Sequence, residues 1–259
     1  MATFEDELRR IAKPIRRFTD IALFLKKLDV RGVENFVRTG PNIIVGNHIG
    51  SFKDVALLLQ AVPRPIFFTA NKQIFSRDEF AALVNNHLKI HLRRFAPFAH
   101  MLFNPFYLYA VQYISSHIAA VGSIPVDLDG RRSDAIRKCE TYLRDGRAVI
   151  ALQGPGRIND DDPIPYVKAF RKGPAVMAYH LYEENGISVP VTPLSIFGAH
   201  ILWGVPVPIR VNVGPPLYIK DYLAADSAGT IEKFRAALER TVVRLLRDSL
   251  LWKPKEETP

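Results

Sequence analysis

The sequence predicts an α/β fold: a single domain with a mostly parallel central sheet flanked by helices, preceded by an N-terminal amphipathic helical extension. Short apolar runs bounded by turn residues alternate along the chain with segments of helical hydrophobic spacing. The composition is that of a globular domain, because 48% of the 259 residues are hydrophobic and 24% are charged. This apolar content fills a sizeable core and excludes disorder as the dominant state.

The first predicted element is a basic amphipathic helix over residues 4–28. Its apolar residues recur at helical spacing and its basic residues lie mostly on other faces, while Pro14 is expected to kink or divide it. Such a helix is typical either of a segment that binds an anionic membrane surface or of a surface helix packed on its own domain. We therefore divide the chain into an N-terminal helical segment, residues 1–30, and an α/β domain, residues 31–259.

Three elements are predicted in the first part of this domain. Asn42–Gly46 (NIIVG) is a short apolar run between turn residues, which is typical of a buried strand. Helical spacing follows over Phe52–Ala61, and Ile66–Thr69 is a second apolar run. The order strand, helix, strand indicates a parallel pair joined by a helix.

The later part of the domain continues the alternation. Helical spacing over Ser133–Arg144 predicts a helix, and the apolar run Ala148–Leu152 predicts the strand after it. Ser188–Phe197 and Ile209–Val213 predict two further strands. A last amphipathic helix is predicted over Thr230–Leu250, where apolar residues again share one face.

The charge balance points to an anionic partner. Lys and Arg number 35 against 26 Asp and Glu, a formal net charge of +9. The basic residues form no recognisable nucleic-acid module, so we expect an anionic membrane surface or a phosphorylated substrate and no nucleic acid. The single cysteine, Cys139, excludes a disulfide scaffold and a thiolate zinc site, and the histidines show no metal-ligand spacing. We expect no metal.

The predicted location is the cytoplasm, peripheral on the inner face of the cell membrane. Glu5, Asp6 and Glu7 stand where a signal peptide would carry basic residues. The charge-free stretch Phe95–Val126 is long enough to span a bilayer, but its prolines and histidines are unfavourable in hydrocarbon. We therefore predict that this stretch is buried or interfacial, with its aromatic cluster either facing lipid or packed in the core.

The segment most informative about function is Asn47–Asp54 (NHIGSFKD). A buried strand ends at His48, a glycine-containing turn follows, and Asp54 opens a helix for which Ser51 is a plausible N-cap. If His48 lies on the turn and Asp54 on the first helical turn, the carboxylate can hold the imidazole in one tautomer and leave its other nitrogen as a general base. The alternative is that Ser51 and Asp54 form a capping box and Asp54 only caps the helix.

This segment resembles the first motif of the glycerolipid acyltransferase family, which includes the acyltransferases that act on lysophosphatidic acid. Further segments resemble the family's later motifs in the same order. They are Phe68–Lys72 for a strand that ends in lysine, Gly122–Asp127 for the second motif, Ala151–Arg157 for the third, Phe170–Ala175 for the basic segment after it, Val189–Pro193 for the fourth motif and Val213–Pro216 for a late Gly-x-Pro turn.

The chain also departs from the family pattern. Five residues separate His48 from Asp54 where the family usually has four, so the turn must absorb one more residue, which we place at Gly50. Gln153 and Gly154 stand where the third motif has Pro and Glu, and Leu128 stands where an arginine is expected. These departures lie on the acceptor side of the family's site, so the identity of the acceptor stays open.

The resemblance implies an enzyme of lipid metabolism and phospholipid biosynthesis. It would move a fatty acyl group from acyl-CoA or acyl carrier protein to a hydroxyl, or an amine, of a lysophospholipid-like acceptor on an anionic membrane surface. The thioester is a co-substrate, so no cofactor is expected. Two alternatives remain: the same chemistry on an amino-acid lipid, a glycolipid or a polyketide alcohol, or a non-catalytic module that binds lipid or acyl carrier protein.

In this mechanism His48 takes the proton of the acceptor as the acceptor attacks the thioester, and Asp54 orients the ring. Backbone N–H groups near Gly50 are expected to stabilise the oxyanion. Arg157 follows a Gly-Pro-Gly turn and is expected to bind phosphate or carboxylate. The residues expected to contact substrates are Asn47, Gly50, Ser51, Lys72, Arg131, Arg132, Gly154, Gly156, Arg157, Arg171 and Lys172.

Overall fold

The structure is a computed structural model of the chain. It describes residues 13, 15–17, 19–92, 111–112, 115–116, 118, 122–126, 133–154, 156–158, 164, 166–202 and 204–251, without the side chains of 84 and 86–92. Most of the aromatic stretch Phe95–Val126, the proline at position 14 and the arginines at 131 and 132 therefore lie outside the described residues. The described residues between 13 and 22 are helical, and a turn at residues 23–25 ends this N-terminal helix.

The described chain divides into two compact units, of which the larger comprises residues 13–66 and 139–259. Its five strands are β1 (Leu28–Arg31), β2 (Asn42–Asn47), β5 (Ala148–Gln153), β6 (Val191–Phe197) and β7 (Ile209–Val213). They lie in the order β1-β7-β6-β2-β5. All the described pairs in this order are parallel except β6–β7, which is antiparallel.

Three helices lie wholly in the larger unit: α1 (Phe52–Ala61), α4 (Gly173–Asn185) and α5 (Ser227–Leu250). The 24-residue helix α5 contacts β6 and β7 and buries Phe234, Leu238 and Val242. Every residue of β2 is buried, because this strand has a parallel neighbour on each side, β5 and β6. The carboxyl end of β2, at Asn47, is therefore enclosed within the sheet.

The smaller unit comprises residues 67–138. Its strands β3 (Ile66–Asn71), which begins at the boundary, and β4 (Ile124–Val126) are parallel, with Thr69 opposite Ile124. Helix α2 (Arg77–Leu92) follows β3, and the first half of α3 (Ser133–Arg144) belongs to this unit.

The predicted fold class is confirmed as α/β with a mostly parallel sheet. Helices α1 and α3 and strand β7 have the predicted bounds, while β2, β3 and β5 extend one or two residues further. The strand predicted from Ser188 begins only at Val191, and β1, β4, α2 and α4 were not predicted as elements. No described helix is long and apolar enough to cross a membrane.

Candidate active site

The end of β2 places the first two residues of the candidate site. The side chain of Asn47 is fully buried and donates hydrogen bonds from Nδ2 to the carbonyl oxygens of Tyr166 (3.0 Å) and Ile196 (2.9 Å). Its Oδ1 accepts a bond from the backbone N–H of Ile196 at 2.7 Å. Asn47 thus joins the ends of β2 and β6, and both N–H bonds of its amide are used in doing so.

His48 and Asp54 form a direct pair. His48 Nδ1 lies 2.8 Å from Asp54 Oδ2, and the same oxygen accepts bonds from the backbone N–H groups of Ile49 (2.9 Å) and Gly50 (2.7 Å). The carboxylate is fully buried, whereas the imidazole is 24% exposed. Because an ionised carboxylate only accepts, Nδ1 carries the proton and Nε2 is left as the basic nitrogen.

The turn between His48 and Asp54 allows two residues six positions apart to form this contact. Ser51 has a positive φ of 54° with a ψ of −126°, a conformation that a non-glycine residue adopts only under local strain. The positive φ of this turn is at Ser51 and not at Gly50. Ser51 is the N-cap residue of α1, but its side chain makes no capping bond, so the capping-box alternative is not what the structure shows.

Gly50 is required for close approach. A Cβ at this position would lie 2.5 Å from the Cβ of Ala199 and 2.5 Å from Asp54 Oδ1. The backbone at Gly50 therefore lies directly against the loop that joins β6 to β7 (residues 198–208, the β6–β7 loop).

The loop after β5 covers the other side of His48. Gly154 and Gly156 have φ values of 127° and 76°, which favour glycine. A Cβ at Gly156 would lie 3.0 Å from His48 Nε2 and 3.3 Å from the Cα of Ser51, and a Cβ at Gly154 would lie 3.0 Å from the carbonyl oxygen of His48. Glycine at position 156 leaves the basic nitrogen accessible.

Gln153, which stands in the third motif, has a structural role. Its side chain is buried, its Oε1 accepts a bond from the backbone N–H of Arg171 (2.9 Å), and its Nε2 donates to the carbonyl of Ala151 (3.0 Å). The backbone N–H of His48 donates to the carbonyl of Gln153 at 2.9 Å. Gln153 thus joins the segment around Arg171 to the strand end beside His48.

The other predicted substrate-contact residues that the structure describes lie on separate segments of the chain. Arg157 and Arg171 are exposed in the larger unit, and Lys172 is exposed and 3.4 Å from Glu232. Lys72 is exposed on the short helical turn after β3, in the smaller unit. The structure gathers Asn47, His48, Gly50, Ser51, Asp54, Gly154 and Gly156 into one cluster.

The predicted oxyanion donors are backbone N–H groups of the turn near Gly50. The N–H groups of Ile49 and Gly50 are already bonded to Asp54 Oδ2. The next two amides along the chain, those of Ser51 and Phe52, open α1 and have no acceptor within the described part of the chain. Such N–H groups at a helix start are available to bind an anionic oxygen.

Sequence reasoning missed two lysines whose ammonium groups bind the β6–β7 loop. Lys53 Nζ donates to the carbonyl of Ile201 at 2.6 Å, and Lys26 Nζ donates to the carbonyls of Leu202 (3.0 Å) and Val205 (2.8 Å). Burial lowers the pKa of Lys53, the charge of Lys26 lowers it further, and Asp54 opposes both effects. The only signal in the sequence was the position of Lys53 inside the first motif.

His200 lies on the same loop and is among the histidines for which the sequence shows no metal-ligand spacing. Its ring lies 5.4 Å from the rings of both Tyr166 and Phe197. Burial lowers the pKa of His200, and the charge of Lys53 adds to the effect. Within the described residues, no group of three or more His, Cys, Asp or Glu side chains is arranged to hold a metal ion.

Comparison with known proteins gives two findings. Residues 27–197 match the family model described as Acyltransferase. The structure is similar to the crystal structure of the 1-acyl-sn-glycerophosphate (LPA) acyltransferase PlsC from Thermotoga maritima, with a TM-score of 0.61 and 20% sequence identity over 98% of this chain and 86% of that chain. At this identity the likeness shows the fold. The comparison with curated proteins gives no match.

Proposed function

This chain belongs to the acyltransferase family, and from that premise we propose that it moves a fatty acyl group from a thioester donor to a hydroxyl, or an amine, of a lysophospholipid-like acceptor. One observation carries the proposal. The buried Asp54 holds His48 Nδ1 at 2.8 Å, and Gly156 leaves His48 Nε2 open to a substrate. This is the arrangement a general base needs in order to deprotonate an acceptor.

The chemical step uses the acceptor itself as the nucleophile. His48 Nε2 takes the proton of the acceptor hydroxyl while the oxygen attacks the thioester carbonyl, and Asp54 stabilises the imidazolium that forms. The tetrahedral intermediate then collapses, the C–S bond breaks, and the imidazolium returns the proton to the departing sulfur. No acyl-enzyme is required.

The negative charge that develops on the carbonyl oxygen requires fixed donors. The amides of Ser51 and Phe52 are suited to this task, because they adjoin the turn that carries His48 and are not used by Asp54. Their position at the start of α1 adds the favourable field of the helix N-terminus. The positive φ of Ser51 sets the path of the chain from His48 into α1.

Phosphate groups on the substrates would be bound by exposed arginines. Arg157 follows the glycines that border His48, and the backbone of Arg171 is tied to Gln153. Lys172 is less suitable for this role, since Glu232 lies 3.4 Å from its ammonium. We propose acyl-CoA or acyl carrier protein as the co-substrate and no cofactor.

The acceptor alternative rests on Gly154, which stands where the third motif has glutamate. Position 154 therefore offers no carboxylate to an acceptor, and the side chain of the neighbouring Gln153 is bonded to Arg171 and Ala151. This favours keeping an amino-acid lipid, a glycolipid or a polyketide alcohol beside the lysophospholipid as a possible acceptor, with the same chemistry at His48.

We also propose that the protein works on an anionic membrane surface at the cytoplasmic face. Ile21, Phe24 and Leu25 at the end of the N-terminal helix and Leu202 and Val205 on the β6–β7 loop are large apolar residues exposed to solvent. Lys26 joins the two segments through its bonds to Leu202 and Val205. The N-terminal helix also exposes Lys13, Arg16 and Arg17, which complement anionic lipid.

The test is product formation from labelled long-chain acyl-CoA, or acyl carrier protein, with lysophosphatidic acid and with a total lipid extract. His48→Ala should lower turnover about 10²–10⁴-fold, the range for a lost general base. His180→Ala is the matched control, because His180 also lies 2.8 Å from a buried carboxylate, that of Glu140, away from this site. Equal activity in the two variants, or no acylated product from the natural chain, would overturn the proposal.

A further inference from the structure

The segment just before α4 is irregular over residues 167–171, so its backbone polar groups need partners from other elements. Two consecutive N–H groups of this segment are bound by side chains. The N–H of Phe170 donates to Glu239 Oε2 at 2.7 Å, and the N–H of Arg171 donates to Gln153 Oε1 at 2.9 Å. The peptide that joins Phe170 to Arg171 is therefore held by α5 on one side and by the end of β5 on the other.

The bond from α5 is made by a carboxylate that is itself held in place. Arg235, one turn earlier on the helix, donates from Nη1 to the same Oε2 of Glu239 at 2.7 Å, and the same Nη1 lies 3.4 Å from the carbonyl oxygen of Phe170. Arg235 also donates two bonds to Glu232 Oε1, at 2.7 Å and 2.9 Å. Arg235 and Glu239 thus bind both backbone polar groups of Phe170, and the charged partners make these bonds strong.

The bond from β5 connects this segment directly to the candidate active site. Gln153 accepts the N–H of Arg171 with its side chain and the N–H of His48 with its carbonyl oxygen, the latter at 2.9 Å. One residue therefore lies between the backbone of Arg171 and the backbone of His48. The side chain of Arg171 is exposed, and a guanidinium in this setting can bind a phosphate with two parallel N–H groups.

We propose that Glu239 is a positioning residue, which holds the Phe170–Arg171 peptide on α5 and so fixes the base from which Arg171 binds a phosphate group of a substrate. The inference rests on the proposed function, because it requires a phosphorylated donor or acceptor. Without Glu239 the segment keeps the bond to Gln153 but loses its attachment to α5. Arg171 would then have to be ordered when the phosphate binds, and this entropy cost weakens binding without changing the step at His48.

The experiment measures kcat and KM with lysophosphatidic acid and with acyl-CoA for the natural chain and three variants. Glu239→Leu should raise KM for the substrate whose phosphate is bound about fivefold and leave kcat nearly unchanged, since binding alone is weakened. Glu239→Gln keeps an acceptor oxygen for the Phe170 N–H and should restore most of the natural KM. Glu232→Leu is the matched control, because Glu232 accepts two bonds from Arg235 and none from Phe170.

Two further comparisons identify the phosphate and the residue that binds it. The effect of Glu239→Leu should disappear with monoacylglycerol if the phosphate is that of the acceptor, and with an acyl-pantetheine donor if it is that of CoA. In an Arg171→Ala background, Glu239→Leu should raise KM no further, because the two residues act on the same contact.

The outcomes separate this inference from the proposed function. It is overturned if Glu239→Leu leaves both KM values natural, if Glu232→Leu raises KM equally, or if the rise persists in the Arg171→Ala background. Should Glu239→Leu fail to fold, Glu239→Asp decides, because its carboxylate keeps the charge beside Arg235 but is one methylene shorter, and natural KM values in that variant contradict the inference. An active His48→Ala variant would instead remove the proposed function, whatever the Glu239 variants show.

Discussion

At the scale of single residues, access to His48 Nε2 depends on the absence of one methyl group. Gly156 has φ 76°, and a Cβ there would lie 3.0 Å from Nε2. Gly156→Ala should therefore lower kcat about 10²-fold, because a displacement of about 1 Å at the reacting atoms has an effect of that order. The measurement is steady-state kinetics together with thermal unfolding.

Gly40→Ala separates the steric effect from backbone strain. Gly40 also has φ 76°, but a Cβ there would meet nothing within 4 Å. Both variants should lose about 1 kcal/mol of unfolding free energy, since alanine is strained at positive φ. Only Gly156→Ala should lose activity, and equal kinetics in the two variants would show that Nε2 is not the reacting nitrogen.

His200 makes the stability of the fold depend on pH. Burial and the charge of Lys53 lower its pKa, so the unfolded chain binds more protons than the folded protein once the pH falls below about 6.5. The corresponding stability is complete above that pH and is lost as the pH falls through the folded pKa. We expect the melting temperature to fall between pH 7 and pH 5.

His200→Phe should remove part of this slope, because phenylalanine keeps a ring beside Tyr166 and Phe197 without a titrating group. The measurement is the melting temperature of both proteins across the same pH range. Parallel curves would mean that other groups account for the loss at low pH.

At the scale of elements, the sequence predicts those helices and strands whose apolar residues follow a clear helical or strand spacing. The bounds of α1 were predictable because its apolar residues share a face and Ser51 precedes it. Helix α4 buries Pro174, Ala175 and Leu181, but Val176 and Tyr179 on its other faces are also apolar or aromatic, so the periodic signal is weak. Strand β1 has only four residues, two of them charged and none of them buried, and its place in the sheet depends on pairing with β7.

The candidate site was predictable where its contacts are local. The contact between His48 and Asp54 spans six positions, and strand and helix spacing were sufficient to anticipate it. The bond from Lys53 to Ile201 spans 148 positions, and no local pattern indicates it. The conformation of Ser51 was also unpredictable, because its positive φ is imposed by the surrounding contacts and not by its own preference.

At the scale of the whole molecule, the exposed apolar residues on the two segments that Lys26 joins predict the surface that binds a membrane. Leu202 is 75% exposed, and Leu25 is about half exposed on the adjoining segment. Leu25→Ser and Leu202→Ser should each weaken binding to anionic vesicles about fivefold, because each removes apolar area that lipid would bury. Flotation with phosphatidylglycerol vesicles measures the effect.

Leu223→Ser is the matched control, because Leu223 is similarly exposed on a different segment of the chain. Binding of the natural protein should also fall with added salt and be weaker on neutral vesicles. If the three variants bind vesicles with equal affinity, or if the natural protein binds neutral and anionic vesicles equally, the proposed docking surface is wrong.

The burial of β2 links the chemistry of the site to the lifetime of the fold. Asn47 ends this strand and His48 follows it, with β5 and β6 hydrogen-bonded along its two edges. Each amide proton of Ile43–Gly46 is held by a neighbouring strand at the centre of the sheet and can exchange with deuterium only when that ladder opens, so we expect these amides to be among the slowest to exchange. Denaturant should therefore abolish activity at the concentration that unfolds the larger unit, because the proposed catalytic pair directly follows this strand.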